Sequence, residues 1–104
     1  LPLFHSLGDD ELARLAERCR RRAYRAGEAL FHEGDPGQTL FLIVAGHVNI
    51  ERATEDGGTV HIARRGPGEH FGEMALFDDL PRSADAVTDT PCELLMLDRA
   101  EVLR

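Results

Sequence analysis

Short apolar runs separated by glycine-containing turns fill most of this 104-residue chain from Ala23 onward. The turns occur at residues 26–27, 34–37, 45–46 and 56–58. Several runs between them alternate apolar and polar residues with a period of two, which is typical of β-strands. About eight short strands at regular spacing indicate a β-sandwich or barrel. We therefore expect a mainly β domain.

Helical periodicity appears only at the two ends of the chain. Near the start, one helical face is apolar and a basic stretch follows it, which predicts a helix ending at about Arg20 with cations at its C-terminal end. A docking surface for an acidic neighbouring domain is the alternative interpretation of those arginines. At the other end, Asp98 and Glu101 have the spacing of a capping box, which predicts a second helix. We expect one domain over residues 1–104, with this last helix cut short.

The composition excludes several classes of function. The formal net charge is −7 and every basic residue is arginine, so we expect no direct contact with nucleic acid. The longest apolar run, Leu40 to Ala45, is far shorter than the roughly 20 residues of a membrane-spanning helix. Cys19 and Cys92 form neither a zinc-type cluster nor a disulfide framework, which favours reduced thiols and a cytoplasmic location.

The residues that carry chemistry lie between Gly66 and Val87. Gly72 precedes a short run of helix formers, whose first amides have no partners inside a helix and suit an anion. Arg82, which follows Pro81, supplies a planar cation that binds an oxyanion through two parallel bonds. Glu73 would repel a phosphate, but its carboxylate is a good acceptor for a sugar hydroxyl. The segment therefore indicates a pocket that binds a phosphate and a ribose together.

Two strings within this segment, Phe71-Gly72-Glu73-Met74-Ala75-Leu76 and Pro81-Arg82-Ser83-Ala84, resemble the phosphate-binding cassette of the cyclic nucleotide-binding domain family. Residues 25–28, 33–35 and 41–46, together with Val48, match the β-roll pattern of that family. The resemblance implies an eight-stranded, jelly-roll-like β-roll with flanking N- and C-terminal helices. It also implies a regulatory domain, not an enzyme, that binds a cyclic nucleotide as its ligand. The signal would pass to an effector outside this chain, and a homodimer is compatible with the family.

The resemblance assigns a role to each residue of the cassette. Arg82 would pair with the cyclic phosphate and Glu73 would accept from the ribose 2′-hydroxyl. The amides after Gly72, around Met74 and Ala75, would cap a phosphate oxygen. The Ser83 hydroxyl would add a further contact. No residue is expected to be catalytic.

The family also indicates where the base would lie. Ile50, Ile62 and Ala63 are candidates for an apolar wall beside it, with simple core packing as the alternative. A hydroxyl at the position of Ser83 is associated with guanine in kinase relatives. Bacterial regulators similar to this chain carry serine there and bind cAMP, so we expect cAMP rather than cGMP.

Two other functions compete with this interpretation. A cupin-type metal enzyme would use His61, His70 and Glu73, but the His-x-His pattern that such a barrel site needs is absent, so no metal is expected. The second alternative is a sensor or interaction domain of the same fold that no longer binds cyclic nucleotides. The presence of Gly72, Glu73, Arg82 and Ser83 disfavours it.

Overall fold

The computed structural model describes residues 17–72 and 81–102. Eight strands form two four-stranded antiparallel sheets, and a short helix follows the last strand. The elements are β1 (Arg20–Tyr24), β2 (Ala29–Phe31), β3 (Thr39–Ala45), β4 (Val48–Ala53), β5 (Thr59–Arg65), β6 (His70–Phe71), β7 (Asp85–Thr88), β8 (Cys92–Asp98) and α1 (Arg99–Val102).

The strand order is β1-β8-β3-β6 in one sheet and β2-β7-β4-β5 in the other. The chain crosses from one sheet to the other at every connection between strands except the β4–β5 hairpin. That hairpin closes at the predicted turn, where Thr54 N donates to Gly58 O at 3.0 Å and Gly57 N donates to Thr54 O at 3.1 Å. The prediction of a mainly β, eight-stranded roll is confirmed.

The core lies between the two sheets, and burial follows a period of two in β7 and in most of β8. In β8, Cys92, Leu94 and Met96 are buried while Glu93 and Leu95 are less so. Apolar side chains from both sheets complete one cluster, because alternate residues of facing strands point to the same interior. Its buried members are Phe41, Ile43, Val48, Phe71, Ala86, Cys92, Leu94 and Met96.

The predicted helix end is wrong in one respect. Residues 17 and 18 are helical, but β1 begins at Arg20, so three of the arginines lie on a strand. Pairing with β8 explains this, since Arg20 Nη2 lies 3.0 Å from Asp98 Oδ1 and Arg21 forms an ion pair with Glu93. The first part of the predicted N-terminal helix lies outside the described residues.

Helix α1 begins at Arg99, directly after Asp98, where the capping pattern places a helix start. The Asp98 carboxylate accepts hydrogen bonds from Arg20 and from the Thr39 hydroxyl. Within the part of the chain that the structure describes, no helix has the length and apolar character that crossing a membrane requires.

Candidate functional site

The Arg82 side chain is buried at the end of the cassette, with only 9% of its surface exposed. Its guanidinium carbon lies 4.2 Å from the centre of the Phe31 ring and 5.9 Å from that of Phe41. Phe41 in turn stacks on Phe71, with 5.1 Å between ring centres. Aromatic rings from both sheets therefore form a platform under this cation, an arrangement that favours a positive charge.

The polar partners of the Arg82 guanidinium are main-chain carbonyls. Nη2 donates to Thr39 O at 2.7 Å, and Nη1 donates more weakly to Gly72 O at 3.4 Å. Nε is buried and has no hydrogen-bond partner among residues 17–72 and 81–102. A buried N–H without an acceptor is costly, so this atom indicates where a further acceptor would be favourable.

Two glycines make room for the guanidinium. A Cβ on Gly37 would lie 2.0 Å from Arg82 Nε, and a Cβ on Gly72 would lie 2.6 Å from Nη1. Gly72 also has φ +80°, a left-handed conformation that favours glycine. Any larger side chain at either position would displace the arginine from its slot.

The main chain of Arg82 is held by the turn between β2 and β3. Arg82 N donates to Asp35 O and Gly34 N donates to Arg82 O, each at 2.8 Å. These two bonds place the arginine opposite β3 and β6 without any help from its side chain. The Gly34–Gly37 turn, predicted from its dipeptides, thus contributes both main-chain bonds and the open space at Gly37.

The charge of Arg82 has no counter-charge in contact with it in the part of the chain that the structure describes. Burial lowers the pKa of the Arg82 guanidinium, and the negative charge of Asp35 acts in the opposite direction. Arginine remains protonated in proteins, so the site holds a desolvated cation. None of the ion pairs formed among residues 17–72 and 81–102 involves Arg82. Such a cation favours the approach of an anion.

Contacts of Thr39 connect the Arg82 slot to the start of α1. The Thr39 carbonyl accepts from Arg82, and the Thr39 hydroxyl donates to Asp98 Oδ1 at 2.9 Å. The neighbouring carbonyl of Gln38 accepts from Arg99 N at 2.7 Å. Two contacts therefore connect the Arg82 guanidinium to Asp98, the residue directly before the C-terminal helix.

Ser83, the next residue, is exposed, and its carbonyl accepts two bonds from the Arg52 side chain of β4. Among the candidate base-wall residues, Ile50 packs against the core and is the cross-strand partner of Ala63. Ile62 is 51% exposed, as is Val60, on the edge strand β5. The base-wall assignment stays a prediction, with an exposed apolar surface available for it.

Three predicted ligand contacts, Glu73, Met74 and Ala75, lie outside the described residues. Of the residues considered for a metal site, His61 lies on β5 and His70 on β6, in different sheets. Across the two described stretches, no three His, Cys, Asp or Glu side chains are grouped closely enough to hold a metal ion.

Comparison with known proteins decides the family. Residues 21–104 match the family described as the cyclic nucleotide-binding domain. The chain belongs to this family. The resemblance carried by the cassette strings is thereby confirmed, and the two-sheet roll around Arg82 is the fold of a cyclic nucleotide-binding domain.

Individual relatives agree with this membership. The cyclic AMP receptor protein of Thermus thermophilus is 42% identical over 102 residues, which are 98% of this chain and 47% of that protein. A crystal structure of the catabolite activator protein from Thermus thermophilus superposes with a TM-score of 0.89 at 42% identity, covering 99% of this chain and 48% of that one. The regulatory domain of Toxoplasma gondii PKA, crystallised with cAMP, gives a TM-score of 0.87 at 30% identity, covering 97% of this chain and 38% of that one.

The chain spans about half the length of the Thermus relative. These relatives are a receptor, an activator and a kinase regulatory domain, in agreement with the prediction that this chain is a regulatory domain and not an enzyme.

Sequence reasoning missed four contributors to the site. Gly37 and Thr39 carry no signal beyond a turn and a strand start, and Phe31 is one of several apolar strand residues. Arg52 looks like an ordinary solvent-facing strand residue. Each acts through a contact between residues distant in sequence, which periodicity does not report.

Proposed function

We propose that this domain binds a cyclic nucleoside monophosphate, cAMP in preference to cGMP, with the cyclic phosphate on Arg82. The observation that carries the proposal is the state of Arg82: a buried cation on an aromatic platform, with an unpaired Nε and no contacting carboxylate among the described residues. A cyclic phosphodiester bears a single negative charge. It would neutralise the cation and supply the missing acceptor.

The remaining contacts follow the cassette pattern of the family. Glu73 is proposed to accept a hydrogen bond from the ribose 2′-hydroxyl, and the amides of Met74 and Ala75 to cap a phosphate oxygen. The Ser83 hydroxyl is exposed beside Arg82 and is available to the same phosphate. A ligand carrying both a ribose and a phosphate satisfies the carboxylate and the cation together, whereas a free phosphate would meet repulsion from Glu73.

The preference for adenine rests on the candidate base wall and on the relatives. Ile50, Ile62 and Ala63 offer no side-chain donor or acceptor, and guanine presents more polar groups along its edge than adenine does. Polar groups buried without partners cost free energy, so an apolar wall favours the less polar base. The names of the Thermus and Toxoplasma relatives refer to cAMP.

The nucleotide would act by shifting a population between two conformations, and it can do so only if it binds one of them more tightly. The described contacts offer a route: Arg82 to Thr39, Thr39 to Asp98, and Asp98 to the start of α1. We infer that an effector region outside this chain reads the position of α1.

Isothermal titration calorimetry with cAMP, cGMP and adenosine 5′-monophosphate tests the proposal. We expect saturable binding of both cyclic nucleotides at one site per chain, with cAMP the tighter. The linear nucleotide carries a second charge and lacks the ring, so we expect it to bind much more weakly. Absence of binding by cAMP and cGMP would leave the alternative, a domain of this fold that senses another ligand or none.

A further inference from the structure

Arg52 of β4 contacts the main chain of the cassette directly after the proposed phosphate ligand. Its Nη2 donates to Ser83 O at 2.7 Å and its Nε to the same oxygen at 3.3 Å. The two residues are 31 positions apart in sequence. A single side chain thus ties the second sheet to the residue that follows Arg82.

This contact completes the restraint on two successive carbonyl groups. Arg82 O accepts from Gly34 N, a main-chain bond that side-chain substitution leaves in place. Ser83 O accepts from Arg52. With both carbonyls engaged, the peptide planes on either side of Ser83 have fixed orientations. The second restraint depends on one guanidinium.

Arg52 restrains the Ser83 carbonyl through the geometry of its hydrogen bonds rather than through an ion pair. Its Nε lies 3.8 Å from Glu33 Oε1, and the two side chains are 51% and 49% exposed. Ion pairs this exposed contribute little because water and salt screen them. Two N–H groups directed at one carbonyl, by contrast, restrict the direction of that carbonyl.

The position of Arg52 also relates the loop to the candidate base wall. Ile50 and Arg52 are two residues apart on β4 and therefore lie on the same face of the strand. Val60 of β5 is the cross-strand partner of Arg52, and Ala63 is that of Ile50. Arg52 thus neighbours Ile50, which is proposed for the base wall, and contacts Ser83, which is proposed for the phosphate.

We propose that Arg52 is a positioning residue, which holds the Arg82–Ser83 main chain in the orientation that a cyclic phosphate requires. This inference rests on the proposed function. Without Arg52 the loop would adopt several orientations, and only a fraction of the free molecules would be competent to bind. The apparent dissociation constant rises by the reciprocal of that fraction.

The experiment compares Arg52→Ala with Arg64→Ala. Arg64 of β5 is a matched control: its side chain is also 51% exposed and also directs Nε and Nη2 at one oxygen, Asp89 Oδ2, at 3.2 and 2.9 Å. It pairs with Asn49, on the face of the sheet opposite to Ile50. For cAMP we expect affinity about tenfold weaker in Arg52→Ala and within about twofold of wild type in Arg64→Ala.

Two further readouts separate positioning from simple destabilisation. Arg52→Gln keeps one donor and loses the charge, so we expect it to recover affinity to within about threefold of wild type. In the ligand-free protein, the amide of Ala84 shares its peptide group with Ser83 O. We expect the chemical shift of this amide to change in Arg52→Ala and to remain unchanged in Arg64→Ala. Both variants should unfold at similar temperatures.

Each outcome decides the matter. If wild type and Arg52→Ala bind cAMP equally well, the positioning role is wrong and the proposed function stands. The positioning role is also wrong if Arg64→Ala loses as much affinity as Arg52→Ala, or if Arg52→Ala loses affinity while the Ala84 amide shift stays in place. Wild type that binds neither cyclic nucleotide overturns the proposed function and this inference with it.

Discussion

At the scale of single residues, Arg82 combines three features that rarely occur together: burial, a full positive charge and an N–H that no described residue accepts. The cost of such a group is offset in part by the Phe31 ring and by the Thr39 carbonyl. A ligand that supplies an acceptor and a negative charge removes the remainder of that cost. Buried polar groups without a partner are uncommon and call for an explanation such as a ligand site.

Gly72→Ala tests how much the slot depends on a missing side chain. A Cβ there would lie 2.6 Å from Arg82 Nη1 and 3.2 Å from Thr39 O, and the residue would keep a positive φ. We expect a stability loss of about 1–2 kcal/mol from the backbone conformation and affinity for cAMP about tenfold weaker or worse. Urea unfolding and calorimetry measure the two effects.

Gly57→Ala is the control for that variant. Gly57 has φ +86° in the β4–β5 turn, and a Cβ there would have nothing within 4 Å. We expect a similar loss of stability with cAMP affinity unchanged. Equal affinities in Gly72→Ala and Gly57→Ala would mean that space at Gly72 does not control the arginine.

At the scale of elements, the edge strand β1 is attached to β8 by main-chain pairing and by side-chain ion pairs. Arg21 lowers the pKa of the Glu93 carboxyl below its usual 4.5, through a hydrogen bond first and also through its charge. The folded state therefore binds the proton of Glu93 less readily than the unfolded state. The stabilisation is complete above the unfolded pKa and disappears as the pH falls through the lower folded value.

Arg21→Ala should remove this dependence. We expect the difference in unfolding free energy between wild type and Arg21→Ala to be constant from pH 7 to about 5, and to shrink toward pH 3. Denaturant unfolding at a series of pH values measures it. Arg22→Ala is the comparison, because Arg22 lies over the Tyr24 ring at 4.7 Å and makes no ion pair among the described residues. A difference that persists unchanged at pH 3 would contradict the assignment to Glu93.

Many of the strands and turns could be predicted from sequence. The unbroken apolar run Leu40–Val44, the period of two in Val48–Ile50 and the turn residues at 56–58 report local preferences that the fold keeps. The basic residues at 20 to 22 predict a helix end, because cations are favourable at a helix C-terminus. In the fold, Arg20 and Arg21 instead pair with Asp98 and Glu93 of β8, which lie more than 70 positions away.

In the candidate site, too, features carried by a local string could be predicted, whereas contacts between distant residues could not. Gly72 and Arg82 could be identified because the cassette is a contiguous string with fixed spacing. Phe31, Gly37 and Arg52 could not, because their contacts with Arg82 and Ser83 join residues that are distant in sequence and meet only in the folded chain.

At the scale of the whole molecule, the site joins both sheets and the start of α1. Strands β2 and β4 of one sheet supply Phe31 and Arg52, while Thr39 of the other supplies the carbonyl under the guanidinium. A ligand bound at Arg82 would therefore stabilise the folded domain as a unit. Binding to the folded state alone adds RT ln(1 + [L]/Kd) to its stability.

Thermal unfolding gives a prediction at this scale. With cAMP at about one hundred times its dissociation constant, we expect about 2.7 kcal/mol of added stability and a rise in unfolding temperature of roughly 10–20 °C. Adenosine at the same concentration lacks the phosphate and should produce little change. Equal shifts with adenosine and cAMP would indicate recognition of the base and sugar without the phosphate.

The affinity of Arg82→Ala for cAMP tests the proposed clamp most directly. Loss of the guanidinium in a partly dry pocket should cost about 2–5 kcal/mol, a factor of roughly 30 to several thousand in affinity, while the domain stays folded. Calorimetry of wild type and variant, with circular dichroism to check the fold, measures it. A folded Arg82→Ala that binds cAMP as tightly as wild type would contradict the assignment of Arg82 as the phosphate ligand.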